Sequence, residues 1–179
     1  MRIALVLPLA AVVLAGTGTA VAATNSASAD RAGSGKRGAF VLELSGDAVP
    51  GGRDEEADGV ARLKFDPKRE TLCLATAWKD LAGSVTAMHL HKGVAGKTGD
   101  HHIEILDDEH LAGGNNMFGT CVQVQGHMGH TGRELIEAVL DDPEGYYLNV
   151  HSTKYPKGAL RGQLGDRGGW RGLGWAGWD

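Results

Sequence analysis

The feature that most limits what this chain can fold into is a two-residue alternation of apolar and polar side chains. It recurs in short runs separated by turn residues. In the first run Phe40, Leu42 and Leu44 alternate with Val41, Glu43 and Ser45. Successive side chains of a strand point to opposite faces, so this pattern predicts a strand with one face buried. Similar stretches at 59–65, 71–78, 85–91, 103–106, 121–125, 146–151 and 159–164 predict further strands. Pro50-Gly51-Gly52 and Asp66-Pro67 provide turns between them. Many short strands at this spacing favour a sandwich or Greek-key barrel over alternating β and α units.

One segment breaks the two-residue rule. Across 131–140 the apolar Leu135, Ile136, Val139 and Leu140 fall at helical spacing, and Thr131 with Glu134 forms a capping-box signature. Asp141-Asp142-Pro143 should end this helix.

The two ends of the chain read differently from its middle. Residues 1–23 hold one cation, Arg2, an apolar run from Ile3 to Leu14, and small residues at Ala20, Ala22 and Ala23. This is the plan of a cleaved secretory signal, and the run is too short for the ~20 apolar residues of a membrane span. Leu14-Ala15-Gly16-Thr17 has the form of a lipoprotein processing site with threonine where the acylated cysteine must stand, so no lipid can be attached there. Residues 24–37 are small and polar and predict a flexible linker. Residues 38–165 form the expected domain. Residues 166–179 form a Gly/Trp-rich tail without strand or helix period, either a plain extension or a set of indole faces for a sugar or a partner surface.

Arg2 is the one charged residue of the leader, so its removal takes the net charge from −4 to −5. A mildly acidic chain without clustered Lys and Arg argues against nucleic acid as a partner. After signal removal no membrane segment is left, and the expected location is secreted, with an extracellular protein or glycan as partner. Cys73 and Cys121 are the two cysteines, and an even count in an oxidising compartment predicts a disulfide between them. Two buried free thiols are the alternative. In either case the alternation of Cys73 with Leu72 and Leu74 places it near the core.

Three clusters carry the chemistry: AMHLHKGVAGKTG at 87–99, DDPEGYYLNVHS at 141–152, and YPKGALRGQL at 155–164. In their order and spacing they resemble the CHRD domain, the module named after chordin and also found in bacterial secreted proteins. The resemblance spans residues 38–164. It implies an all-β, immunoglobulin-like Greek-key barrel in an extracellular protein, and in chordin-type proteins a modular role around growth-factor antagonism. It implies no defined catalytic mechanism.

Alternation then sorts the residues of these clusters. Met88 and Leu90 should face the core, which leaves His89 and His91 on the other side. Leu148 and Val150 should face in, with Tyr147, Asn149 and His151 out. Leu160 and Leu164 should face in, with Arg161 and Gln163 out. If the strands are neighbours, His89, His91 and His151 converge beside Arg161 and Asn149. Three readings of this cluster stay open. It is a hydrogen-bonded structural network, a copper or zinc site, or, through Arg161 with Asn149 beside it, an anion site.

The His-x-His pair also resembles the copper-binding pair of copper/zinc superoxide dismutases. His101, His102, Asp100 and His110 are candidates to extend a metal site, whereas the fixed charge of Arg161 opposes one. His127 and His130 read as an exposed loop pair, and Asp54, Glu55, Glu56 and Asp58 as a solvated acidic loop. No catalytic residue is assigned, because Ser152 beside His151 points to the opposite strand face. The sequence therefore supports a non-enzymatic extracellular binding or structural module, with a His-cluster metalloprotein, superoxide-dismutase-like in its possible chemistry, as the alternative.

Overall fold

The computed structural model describes residues 38–51 and 54–165. The signal at 1–23, the linker at 24–37 and the tail at 166–179 lie outside the described residues. The strands, in chain order, are β1 (Ala39–Ser45), β2 (Asp58–Asp66), β3 (Thr71–Leu81), β4 (Val85–Lys92), β5 (His101–Leu106), β6 (Gly114–Gln123), β7 (Tyr146–Ser152) and β8 (Leu160–Gln163). One helix, α1 (Gly132–Asp141), lies between β6 and β7. The eight strands make one sheet in the order β5-β4-β7-β8-β1-β2-β3-β6, and every pairing is antiparallel. Its edge strands β5 and β6 approach each other, so the sheet curls into a nearly closed barrel. Among the described residues no helix is long and apolar enough to cross a membrane.

The core follows the alternation. Phe40, Leu42 and Leu44 of β1, Ala61, Leu63 and Phe65 of β2, and Leu72, Leu74 and Trp78 of β3 are all buried. The rings of Phe40 and Phe65 meet edge to face at 5.7 Å. Helix α1 lays Leu135, Ile136 and Val139 on this core. Its start is set by the expected capping box, in which Thr131 Oγ1 accepts from the Glu134 N–H and the Glu134 carboxylate accepts from the Thr131 N–H. The Thr131 backbone and side-chain donors together hold the Glu134 carboxyl below its usual pKa.

Several expectations need correction. β6 begins at Gly114 rather than Cys121, and β3 correspondingly runs on to Leu81. The segment Gly114–Thr120 has little apolar alternation to read because its backbone pairs with β3 while one face stays exposed, with Met117 71% exposed, and the other is only partly buried, with Phe118 its one apolar side chain on the core. Cys73 does pair with Cys121, at a Cα–Cα separation of 4.0 Å, but on the outer face. The alternation that buries Leu72 and Leu74 turns the residue between them outward. Asp54 is not solvated: it is 4% exposed, and its Oδ2 accepts the Ala82 N–H at 2.6 Å, tying the β1–β2 loop to the end of β3.

The largest correction concerns β7 and β8. Tyr147, Asn149 and Arg161, expected to face outward, are 4%, 5% and 2% exposed. They do leave the barrel interior, but the outer face is covered: the segment after β4 folds over Arg161 and Tyr147, and the β7–β8 turn at Lys157 and Gly158 lies against Asn149.

Candidate metal centre

β4 supplies His89 and His91, and the sheet register places its neighbours on either side. Across β4 and β7, His91 lies opposite Tyr147, His89 opposite Asn149, and Ala87 opposite His151. On the other flank His91 lies opposite His101 of β5. Met88, Leu90, Leu148 and Val150 are fully buried in the barrel, which fixes the imidazoles on the outer face. The predicted convergence is therefore real. The ring of His89 is 5.8 Å from His91, 5.1 Å from His151 and 4.4 Å from His101. One nitrogen each from His89, His91 and His151 can be chosen so that all three lie within 4.8 Å of one another.

The chain crossing over this face is held by Arg161 and Gln163. The Arg161 guanidinium donates to the Lys97 carbonyl at 2.7 Å and the Val94 carbonyl at 2.9 Å, and to Gln163 Oε1 at 2.9 Å. Its Cζ lies 3.4 Å from the centre of the Tyr147 ring. The Gln163 amide donates to the carbonyls of Gly93, Glu144 and Tyr146. Arg161 thus does not fill the histidine cluster. Tyr147, on the strand between β4 and β8, separates it from His91, whose ring stacks on Tyr147 at 5.1 Å. The Arg161 guanidinium is engaged by two backbone carbonyls and the Gln163 side chain, and Asn149 Nδ2 reaches Lys157 O and His151 Nε2 at 3.3 Å each.

The same loop orients His91, and the β7–β8 turn orients His151. Gly99 donates its N–H to Tyr147 Oη at 3.2 Å, and its carbonyl lies 3.1 Å from His91 Nδ1. The Pro156 carbonyl lies 3.0 Å from His151 Nδ1. A carbonyl can only accept, so in both neutral rings Nδ1 carries the proton and Nε2 presents its lone pair. This is how outer partners commonly fix a metal-binding histidine. Gly99 is required by close approach, since a Cβ there would overlap the Lys92 carbonyl oxygen.

The electrostatics point the same way. Burial, followed by the surrounding His101, His151 and His91, pushes the His89 pKa down to about 4, against a smaller opposing pull from Asp107. Burial also lowers the pKa of His91 and of His151, in each case against a carbonyl hydrogen bond that raises it. Neutral imidazoles are what a metal binds. The Nε2 atoms of His89, His91 and His101 are buried and have no hydrogen-bond partner among the described residues. Leaving such an atom unsatisfied costs about 1–3 kcal/mol each.

The other sequence candidates separate. His101 joins the cluster. His102 points the other way, with Nε2 on the Leu135 carbonyl at 2.9 Å and its ring on Tyr146. Asp100 and His110 are exposed; His127 and His130 are exposed and joined through their backbones across a tight turn, with the His127 ring 6.1 Å from that of His101 at the margin of the cluster. Ser152 is buried and accepts the Tyr155 N–H, a structural role. Sequence reasoning missed Asp107, whose Oδ1 lies 3.9 Å from His89 Nε2, and the clamp made by Arg161. Only the glycine-spaced run after His91 hinted that a loop returns over the site.

Compared with known proteins, residues 40–164 match the family model of the CHRD domain. No curated protein and no solved structure matches the chain. The family match covers most of the chain, which belongs to the CHRD-domain family.

Proposed function

Starting from a CHRD-domain chain, we propose a secreted, non-enzymatic module that binds copper or zinc through His89, His91 and His151. The observation that carries this reading is the set of neutral imidazoles on one face whose Nε2 atoms are oriented or left unpartnered while their other contacts are satisfied. A purely structural network would place partners on all of these nitrogens, whereas His89 and His91 have none on Nε2 and His151 has only the 3.3 Å contact with Asn149 Nδ2. The 4.8 Å span is wider than the separation of about 3.4 Å between ligands at metal–nitrogen bonds of about 2.1 Å. Side-chain rotation closes that gap, with the long Asn149 bond to His151 given up as the metal arrives.

Export is read from the leader, and both the disulfide and the family accord with an oxidising compartment. The short β3–β4 connection across the curled sheet favours reading the barrel as an immunoglobulin-like Greek key.

The test is metal analysis and calorimetric titration of the purified mature protein with copper(II) and with zinc, beside the His89→Ala/His91→Ala double variant. One equivalent bound by the wild type and none by the variant is expected. A wild type that holds neither metal would overturn the reading and leave a structural histidine network.

A further inference from the structure

Resting on the metal-binding reading above, we propose that His101 is a fourth ligand and that the completed all-imidazole site takes copper(II). The alternation that identified His89, His91 and His151 says nothing about β5, which reaches the site only through its register. That register puts His101 directly across from His91. Its ring centre lies 4.4 Å from His89 and 5.8 Å from His91, making it the nearest imidazole to His89.

Its Nε2 is the independent sign of a ligand. The atom is buried and without a partner, as are those of His89 and His91 beside it. Three neighbouring unsatisfied acceptors or donors gain most from a single centre that engages them all. His101 stands outside the 4.8 Å group of three, and a turn about its side-chain torsions brings it in. It is the first residue of an edge strand, paired on one side only.

The donor set chooses the metal. Neutral nitrogen donors with no thiolate suit copper(II), which also leads the divalent series in intrinsic affinity, whereas magnesium, calcium and manganese want oxygen. Asp107 stands at the rim 3.9 Å from His89 Nε2 and supplies negative charge to a dication there. The opposing charge of Arg161 is engaged by two loop carbonyls beyond the Tyr147 ring.

The experiment loads chelator-stripped mature protein with one equivalent of copper(II) and counts coupled nitrogens by electron paramagnetic resonance. Competition titration gives affinity in parallel. Wild type should show four nitrogens and His101→Ala three, with copper held at least about tenfold more weakly, the lower end of what losing even an outer partner brings. His101→Asn should repeat the loss with circular dichroism unchanged, and exposed His110→Ala should match wild type. An equimolar mixture of copper and zinc should leave copper on the protein. Wild-type affinity and four nitrogens in both His101 variants, or retention of zinc over copper, would overturn the assignment while the three-histidine site stood. Wild type that binds no copper and no zinc removes both readings together.

Discussion

Acid should destabilise the metal-free domain through His89, and the size of the effect can be worked from its surroundings. In the unfolded chain this ring titrates near the usual 6.5, whereas in the fold burial and three neighbouring imidazoles lower that to about 4. The group is a base with a depressed folded pKa, so between those values the unfolded state binds more protons. Its contribution is fully present above pH 6.5 and is lost as pH falls toward 4. At about 1.4 kcal/mol per pH unit, the loss is about 2 kcal/mol at pH 5 and about 3 kcal/mol at pH 4. Against a total of roughly 5–15 kcal/mol that is a large fraction. Urea unfolding from pH 7 to pH 4 in the presence of a chelator should reveal it, and His89→Gln should flatten much of the slope. An NMR titration placing the His89 pKa of the folded protein at or above 6.5 would refute the reasoning, because the ring would then not be desolvated.

Replacing both cysteines by alanine frees a loop closed across 48 positions, which the chain-entropy relation values at about 4 kcal/mol. Thermal unfolding should fall by roughly 15 °C for a domain of this size, and a fall of under 3 °C would deny the bond that role. Gly99→Ala should disturb the loop over β4 and weaken metal binding at least about tenfold, because the carbonyl that orients His91 moves; calorimetry with wild-type affinity would contradict this. Arg161→Lys keeps a charge but loses the fork across the Val94 and Lys97 carbonyls, so proteolysis within residues 93–99 should accelerate. Equal cleavage rates would show the clamp to be dispensable. Ile136→Ala should lower stability by about 2–5 kcal/mol in denaturant unfolding, since that side chain is fully buried where α1 meets the barrel.

Much of this protein was legible in its sequence because alternation is a local property. Phe40, Leu42 and Leu44 declare their strand without help from any neighbour, and Thr131 with Glu134 declares the start of α1. Alternation also sent His89 and His91 to the face opposite Met88 and Leu90, and His151 to the face opposite Leu148 and Val150. It could not say what lies above that face. It places Arg161 and Tyr147 on the outer face, and they are buried there because residues 93–99 return over them, a contact between positions more than sixty residues apart in the case of Arg161. Likewise the place of His101 depends on the pairing of β5 with β4, and that of Cys73 on pairing with β6 at the outer surface. Side-chain direction is written residue by residue along a strand, but strand order and register, and the loop that covers a face, arise only when distant segments compete for the same surface. The sequence by itself therefore determined which residues could share a face. Only the tertiary structure decided which of them meet, and which of their nitrogens are left without a partner.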